Sequence, residues 1–321
     1  MEARHDSVLM REVIDTLDVR RGDTVVDATL GGAGHFSALV ERMGEGGTIV
    51  GIDADPEAVE RARAAYAADR RPDRPVAHLV NGNFRNLTRI LERLGVGKVD
   101  KILFDLGWSG YQIASPRGFS FQGDEPLLMT YGEGGLSDRG ETAADIVNGA
   151  SEAELADIIH GYGEERFARS IARSIVKMRA NGRILTTRSL VKAVEAGVPR
   201  WYRERKAHFA TKTFQALRIA TNDEIGALRE GLAAALKALA PRGRLAVITF
   251  HSIEDRVVKN ALRAASDAGQ GALSPKKPIV PARAEVLSNR RARSAKLRVF
   301  EGAAAVGAGS PEPASRSFSY A

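Results

Sequence analysis

The chain has 321 residues, of which 44% are hydrophobic, so it can fold around one large core or two smaller ones. It contains no cysteine, which excludes a disulfide framework and a thiol nucleophile, and its six histidines show no metal-ligand spacing, so we expect no metal site. No apolar leader follows the charged N-terminus and no run of about 18 apolar residues occurs, so we expect a cytoplasmic protein without membrane contact. The net charge of +7 permits a nucleic-acid partner without requiring one.

Strand and helix patterns alternate in the first third of the chain. Apolar residues at helical spacing predict a first helix from Val8 to Leu17. After it, apolar runs predict strands near 24–28, 49–53, 76–80 and 100–105. Helical patterns lie between these strands, near 35–43, 56–68 and 84–94. This alternation predicts an α/β fold with a parallel, doubly wound sheet.

A turn of small residues follows the first predicted strand. It runs from Asp27 to His35 and is rich in glycine, and the next predicted strand ends on Asp53. Glycines let a ligand approach the backbone, a helix N-terminus favours a negative group, and an acid about 20 residues further on binds ribose hydroxyls. The unit therefore indicates a site for a cofactor that contains adenosine.

The same turn narrows the choice of cofactor. A dinucleotide site needs a third glycine at position 37, where this chain has Ser37, and no P-loop lysine follows the turn. S-adenosylmethionine has no pyrophosphate, so the turn favours it over NAD without deciding between them. A tight strand-to-helix turn that binds no ligand is the remaining interpretation.

A second group of polar and aromatic residues follows the strand that ends on Asp105. The group consists of Trp108, Ser109, Tyr111 and Gln112. Ligands of open parallel sheets bind beyond the carboxyl ends of the strands, so Asp105 should face the same crevice as the glycine turn. The alternative is that Asp105 caps a helix and that the aromatic side chains pack at the surface.

The alternation of strands and helices stops after Asp105. Helical patterns fill 142–198 without a strand signal, so we expect a helical insertion over 111–213. Thr221–Glu224 predicts the N-cap of a further helix through Leu239, and an apolar strand over 244–250 returns the chain to the sheet. The sheet domain would then comprise 1–110 and 214–300, and the Ala-, Gly-, Ser- and Pro-rich segment 301–321 is expected to be disordered.

Specific strings occur in order along almost the whole chain. The two most specific are Phe214–Ile219 and Arg291–Arg298. The others are His5 with Val8, Leu9 and Glu12, then 27–35, 51–56, 83–84, 105–107, 117–121, 162–165 and 250–256. In these segments the chain resembles the bacterial S-adenosylmethionine-dependent methyltransferases that modify N4 of a cytidine in the decoding region of 16S ribosomal RNA.

The resemblance implies a Rossmann-like class I methyltransferase sheet with an inserted helical domain for RNA recognition. It also implies S-adenosylmethionine as the cofactor and 16S rRNA of the small ribosomal subunit as the partner. The implied cofactor contacts are Ala33, Gly34 and His35 at the methionine end, Asp53 at the ribose, Phe84 at the adenine, and Asp105 and Gln112 around the rest of the pocket.

The resemblance makes the cytosine amine the nucleophile. Its lone pair is delocalised into the ring, so a hydrogen-bond acceptor aimed at the N4 hydrogens would raise its reactivity. Asp105 is the first candidate for this acceptor, followed by Ser109 and the main-chain carbonyls of 105–109. Asp105 could equally hold the amino group of the cofactor, and Trp108 and Tyr111 would stack on the base or pack under the insertion.

Two later segments are candidates for RNA contact. His251, Glu254 and Asp255 would contact the RNA or the loop after the fourth strand, or form a salt-bridged turn with Arg256. Lys276–Lys277 and the five cations of 290–298 would hold phosphates, because no acid lies among those five.

Three features depart from the family pattern. Ala33 stands where glycine is usual, which predicts that the backbone there avoids positive φ. Gly110 replaces the second serine of a Ser-Ser pair, and 126–131 lacks the usual acidic and arginine residues. These departures keep a second hypothesis open, a ribosome-assembly factor that binds RNA and has an inactive cofactor pocket. An NAD-dependent oxidoreductase is a weaker alternative, because the third glycine and an evident acid–base pair for hydride transfer are missing.

Overall fold

A seven-stranded sheet forms the centre of the described chain, which in this computed structural model comprises residues 7–107, 115–131 and 140–305. The strands are β1 (Thr24–Asp27), β2 (Thr48–Asp53), β3 (Val76–Asn81), β4 (Val99–Asp105), β5 (Leu239–Thr249), β6 (Gly271–Leu273) and β7 (Lys296–Gly302). Their spatial order is β3-β2-β1-β4-β5-β7-β6. β1 to β5 are parallel, whereas β7 is antiparallel to both of its neighbours. The strand order reverses between β1 and β4, and open α/β sheets bind ligands at such a point.

The helices cover both faces of the sheet and form a separate group beside it. They are α1 (Met10–Leu17), α2 (Gly34–Met43), α3 (Pro56–Ala68), α4 (Leu87–Arg93), α5 (Ala143–Gly149), α6 (Glu152–Gly163), α7 (Ala168–Arg179), α8 (Thr187–Ala196), α9 (Arg200–Arg203), α10 (Thr211–Asn222), α11 (Glu224–Ala238), α12 (Ser252–Asp267) and α13 (Arg283–Ser288). None of these described helices is long and apolar enough to cross a membrane.

Alternate strand residues supply the two core layers of the sheet. Val25 and Leu103 pack with α1, α2 and α3 on one face. Their neighbours Val26 and Phe104 pack with α4, α11 and α12 on the other. Both faces are buried, and this explains why the strands are continuous apolar runs rather than alternating ones.

A further hydrophobic core lies among α5, α6, α7, α8 and the first half of α10. It is built from buried side chains that include Leu155, Ile171, Leu190 and Leu217. Three capping boxes, at Thr142, Ser151 and Thr186, begin α5, α6 and α8 by satisfying free main-chain amides. α10 starts in this core and ends beside Ile225 of α11, so it leads the chain back to the sheet.

The α/β fold with a parallel, doubly wound sheet is confirmed, and so is the helical pattern of 142–198. The predicted strands and helices of the first third are present within a few residues. The segment 84–94 begins with a 3₁₀ turn over Phe84–Asn86, because the side chain of Asn83 accepts from the amide of Arg85.

Two predicted boundaries are wrong. Thr221 and Asn222 belong to α10, and Asp223 enters α11 with φ 48° and no capping bond from its side chain. That carboxylate instead pairs with Arg85 at 2.6 Å. The segment expected to be disordered does not start at 301, because Glu301 and Gly302 are part of β7 and pair with β5 and β6.

Candidate active site

The carboxyl ends of β1, β2 and β4 meet at one cavity of about 560 Å³. Its sheet side is lined by residues that include Gly31, Gly32, Gly34, His35, Asp53, Phe84, Asp105 and Gly107. Its other side is lined by residues from the insertion and the later strand ends, among them Phe119, Phe121, Tyr131, Phe214, Gln215, Arg218, Glu224, His251, Glu254 and Arg291. A cavity of this size, apolar with a few converging polar groups, is typical of a cofactor and substrate site.

The glycine turn is closed by main-chain bonds. The amide of Leu30 donates to Ile52 at 3.1 Å, and that of Ala33 donates to Leu30 at 2.7 Å. Ala33 has φ 61°, so the prediction that its backbone avoids positive φ is wrong. Its methyl group is buried in the core beside α1 and α2 and does not line the cavity, whereas Gly31, Gly32 and Gly34 do.

Asp53 is anchored at the end of β2 and borders the cavity. Its Oδ2 accepts from the amide of Gly31 at 2.8 Å, and its Oδ1 accepts from the amide of Asp55 at 2.9 Å. Burial raises the pKa of Asp53 to about 6, against the two amide bonds, which lower it. Each oxygen keeps a lone pair, so the carboxylate can accept from a pair of ribose hydroxyls.

Asp105 and His35 lie together beneath the cavity. The Asp105 carboxylate accepts from the amide of Gly107 at 3.1 Å and lies 3.4 Å from Nδ1 of His35. The other ring nitrogen of His35 is 3.2 Å from the carbonyl of Val8, which can only accept a hydrogen bond. His35 is therefore placed to carry a proton on both nitrogens.

Charge around His35 supports that protonation state. Burial opposes the charged ring, but the hydrogen bond and charge of Asp105, with the charge of Asp27, raise the pKa of His35. Asp27 is fully buried, and burial raises its pKa to about 7. Its Oδ2 has no hydrogen-bond partner among the described residues.

Phe84 presents a ring to the cavity. It packs edge-on against Phe104, with centroids 5.3 Å apart. Gly231 of α11 lies directly behind it, since a Cβ at that position would come within 2.7 Å of the ring. The flat side chain is thus held where an adenine could stack on it.

Ser109 and Gln112, with Trp108 and Tyr111, lie outside the described residues. Their predicted roles beside Asp105 stay predictions.

A buried polar network lines the same cavity as Asp105. Glu224 accepts from Nη2 of Arg218 at 2.7 Å and from the hydroxyl of Tyr131 at 2.9 Å. Burial, followed by the charge of Glu224, raises the pKa of Tyr131 well above its ordinary value, so the phenol stays protonated and donates. Sequence reasoning missed these residues as site residues. Arg218 lies four positions after Phe214 and three after Gln215, and all three line the cavity, so this helical spacing is the signal that could have found Arg218.

His251 and Glu254 form the start of α12. Nδ1 of His251 accepts from the amide of Glu254 at 3.3 Å, and Glu254 accepts from the amide of Phe250 at 2.8 Å. Arg256 pairs with Glu164 at 2.7 Å, and Ser252 donates to the same carboxylate at 2.6 Å. The Arg256–Glu164 pair ties α12 to the end of α6. The predicted contact of His251, Glu254 and Asp255 with RNA stays a prediction.

Glu224, His251 and Glu254 are the one described group whose ligand atoms lie within 4.8 Å of one another, as a metal site requires. Both oxygens of Glu224 are engaged by the Arg218 guanidinium, whose charge opposes a bound cation. The expectation of no metal stays a prediction.

The predicted phosphate-binding cations divide into two sets. Lys296 and Arg298 both pair with Asp255, at 2.9 and 2.7 Å, so they hold β7 against α12, and their predicted phosphate contacts stay a prediction. Arg290 and Arg293 are exposed, and Arg291 lines the cavity. Lys276 and Lys277 are exposed as well.

The strand order, with acids at the ends of β2 and β4, is typical of an α/β enzyme that binds an adenosine-containing cofactor. The chain belongs to the MraW methylase family, whose model matches residues 2–303. It is 47% identical to ribosomal RNA small subunit methyltransferase H of Deinococcus radiodurans, covering 94% of this chain and 90% of that one. The proteins of the same description from Geobacter sulfurreducens and Paenibacillus sp. are 44% and 42% identical, covering 94% and 93% of this chain and 99% of each relative. A solved rRNA methylase from Streptococcus thermophilus is 10% identical, with a TM-score of 0.41, covering 93% of this chain and 98% of that one.

Proposed function

We propose that the protein transfers a methyl group from S-adenosylmethionine to N4 of a cytidine in the decoding region of 16S rRNA, within the small ribosomal subunit and in the cytoplasm. The relatives' description as ribosomal RNA small subunit methyltransferases supports the substrate class. The observation that supports the proposal is one cavity that is lined both by residues at the ends of β2 and β4 and by residues of the insertion. A transferase needs two substrates side by side, and this cavity offers that arrangement.

The cofactor would occupy the sheet side of the cavity. Asp53 would bind the ribose hydroxyls, Phe84 would stack on the adenine, and Gly34 and His35 would border the methionine end. Ala33 would contribute through its main chain alone, because its methyl group is buried away from the cavity. Gln112 and Ser109 would complete the site as the family resemblance implies.

S-adenosylmethionine supplies an activated methyl group, so the protein's task is to place the amine and to accept its hydrogens. Asp105 is the acceptor we propose, with Ser109 beside it. The bonds to Gly107 and His35 fix the orientation of the Asp105 carboxylate before the substrate enters. A preorganised acceptor costs no reorganisation during reaction. The alternative role, holding the cofactor's amino group, uses the same fixed orientation.

The base would enter from the insertion side. Phe121 and Phe214 offer flat apolar surfaces there, and the Arg218–Glu224 pair offers charged hydrogen-bonding edges. The target base must leave its stack to reach this pocket. We therefore propose that the insertion, 111–213, is the RNA-recognition domain and that the sheet domain comprises 1–110 and 214–302.

The proposal is tested by methyl transfer to small ribosomal subunits purified from a strain that lacks the gene. Radiolabel from S-adenosylmethionine should enter the RNA, and nucleoside analysis should find it as N4-methylcytidine. Asp105→Asn should remove nearly all transfer, whether it accepts from the amine or from the cofactor. Unlabelled RNA with the unaltered protein would instead favour the assembly factor with an inactive pocket.

A further inference from the structure

Two arginine side chains among the described residues line the cavity, and they differ in their partners. Arg218 is held by Glu224, whose carboxylate accepts from its Nη2 at 2.7 Å. Arg291 is half-buried, and no acid among the described residues pairs with it. Its guanidinium is therefore a positive charge that the cavity offers to an incoming anion.

The other carboxylates that line the cavity are already engaged, so they do not compensate Arg291. Asp53 and Glu254 accept from main-chain amides. Asp105 lies 3.4 Å from Nδ1 of His35. A charged group placed in a binding cavity in this way fixes the orientation of a ligand that carries the opposite charge.

Arg291 belongs to a short 3₁₀ turn that carries three arginines and no acid. This arginine turn, Arg290–Ser294, begins where the side chain of Asn289 accepts from the amide of Arg291 at 3.2 Å. Residues three apart lie on the same side of a 3₁₀ helix, so Arg290 and Arg293 share one side, and both are exposed. The turn therefore presents cations to solvent on one side and the Arg291 guanidinium to the cavity on another.

Buried contacts hold the arginine turn against the start of α1. Ala292 is fully buried in the core layer that also contains Val8. The carbonyl of Val8 lies 3.2 Å from the ring of His35, which in turn lies beside Asp105. This series of contacts fixes the turn at the side of the cavity where the proposed acceptor of the amine hydrogens lies.

The anion that suits Arg291 is an RNA phosphate rather than the carboxylate of the cofactor. The methionine carboxylate can bind at the start of α2, where Ala33 provides no side-chain cap and the helix N-terminus favours negative charge. A phosphate of RNA is one of a series, and the exposed Arg290 and Arg293 offer cations for others of that series.

On the basis of the proposed function, we propose that Arg291 binds a phosphate that adjoins the target cytidine. Arg290 and Arg293 bind phosphates further along the same strand. A nucleotide that leaves its stack to enter the cavity brings its own phosphates to the cavity rim. The Arg291 contact therefore forms only when the cytidine is inside, and it holds N4 of the base beside Asp105.

The cavity contact is tested with Arg291→Ala and the conservative variant Arg291→Lys. Methyl transfer to small subunits that lack the modification gives KM and kcat separately. Because the contact forms after the subunit has bound, Arg291→Ala should lower kcat by about 10- to 100-fold and leave KM within about threefold, as expected for lost hydrogen bonds to a charged group. Arg291→Lys keeps the charge and should recover kcat to within about fivefold of the unaltered protein. The control is Arg89→Ala, which removes an exposed charge of α4 that does not line the cavity and should change neither constant.

The exposed side of the turn is tested with the double variant Arg290→Ala/Arg293→Ala. Each lost contact to single-stranded RNA should reduce the slope of log affinity for the subunits against log salt by about 0.7, so this variant should lose about 1.4. The matched control, Arg89→Ala/Arg93→Ala, should lose nothing. Equal slopes of the two double variants would overturn the proposed path of the strand along the turn.

Calorimetric binding of S-adenosylmethionine identifies the ligand of Arg291. The affinity should be the same in Arg291→Ala as in the unaltered protein, which also shows that the variant is folded. A loss of more than about threefold would overturn the inference, because the guanidinium would then bind the cofactor carboxylate.

The activity measurements separate this inference from the proposed function. If the unaltered protein transfers no methyl group to the subunits, the proposed function itself fails. If it transfers normally and Arg291→Ala has the same kcat, only the inference is overturned. It is likewise overturned if Arg291→Lys is no more active than Arg291→Ala, because a phosphate contact requires the positive charge.

Discussion

At the scale of single residues, the Asp53 carboxylate both binds main-chain amides and borders the cavity. It binds the amides of Gly31 and Asp55 and still borders the cavity. We expect Asp53→Asn to weaken binding of S-adenosylmethionine by about 10- to 100-fold, because hydrogen bonds to a charged acceptor contribute about 1.5–3 kcal/mol. Isothermal calorimetry measures this directly. The control is Asp73→Asn, an acid paired with Arg21 at the surface, which should bind as the unaltered protein does. Equal affinity of the two variants would contradict the assignment.

Asp27 predicts a pH dependence of stability. Its folded-state pKa is raised to about 7 by burial, so the stability it contributes is present below its ordinary value of 3.8 and is lost as the pH rises through 7. The raised pKa of His35 acts in the same direction, because the stability that the protonated ring contributes is also lost as the pH rises.

Asp27→Asn removes the titrating group at nearly constant shape. The free energy of unfolding of both proteins is measured in urea between pH 4 and 8. The value for Asp27→Asn minus that for the unaltered protein should rise as the pH increases to about 7 and stay constant above it. A difference between the two proteins that does not vary with pH would show that Asp27 does not titrate in this range.

Ala33 shows why some residue conformations escape sequence reasoning. A non-glycine residue in the left-handed region costs about 1–2 kcal/mol, so glycine is the local expectation there. In this fold the Ala33 methyl group is buried beside α1 and α2, and burial of a methyl group offsets part of that cost. This burial depends on how α1 and the sheet pack against the turn, which the sequence of the turn alone does not describe.

At the scale of elements, the strands were predictable because both faces of the sheet are buried. Val25, Val26 and Ile102–Phe104 must all be apolar, which leaves a clear pattern. The N-cap at Asp223 was not predictable in this way. Its carboxylate is taken by Arg85, 138 positions away, and a capping preference cannot anticipate such a partner.

Helix α11 supports the proposed adenine contact through Gly231. A Cβ there would lie 2.7 Å from Phe84 and must displace its ring. We expect Gly231→Ala to weaken binding of S-adenosylmethionine several-fold, as measured by calorimetry, and to lower the unfolding free energy by about 1 kcal/mol through overpacking. Gly161→Ala in α6 is the matched control, because nothing lies within 4 Å of its Cβ. It should stabilise the protein by about 0.5–1 kcal/mol through helix propensity and leave cofactor binding unchanged. Identical behaviour of the two variants would exclude the support role.

At the scale of the whole molecule, the sequence predicts the site residues at the strand ends but not those that the packing of the insertion brings to the cavity. Asp53, Phe84 and Asp105 follow from where parallel strands end, because one rule places all such ends at one edge. Phe121, Tyr131 and Arg218 do not follow the end of a strand, and only the packing of the insertion and α10 against the sheet brings them to the cavity. Local patterns carry no information about that packing.

A buried ion pair joins the first part of the insertion to the residues that follow β2. Arg117 donates to the Asp55 carboxylate at 3.1 Å and to the carbonyl of Tyr131 at 3.1 Å. Asp55 is only 1% exposed and also caps α3. Removing the guanidinium would leave this carboxylate buried beside an unpaired carbonyl.

We therefore expect Arg117→Met to lower the free energy of unfolding by about 3 kcal/mol, since breaking a buried pair leaves an uncompensated charge. Arg188→Met is the control, because Arg188 pairs with Asp124 at 3.6 Å with both side chains largely exposed, and it should cost less than about 1 kcal/mol. Urea unfolding at pH 7 followed by circular dichroism compares the two. If Arg117→Met cost no more than Arg188→Met, the junction would not depend on this pair. The placement of the insertion over the cavity would then have to come from its other contacts, among them the Arg256–Glu164 pair and the apolar contacts of α10.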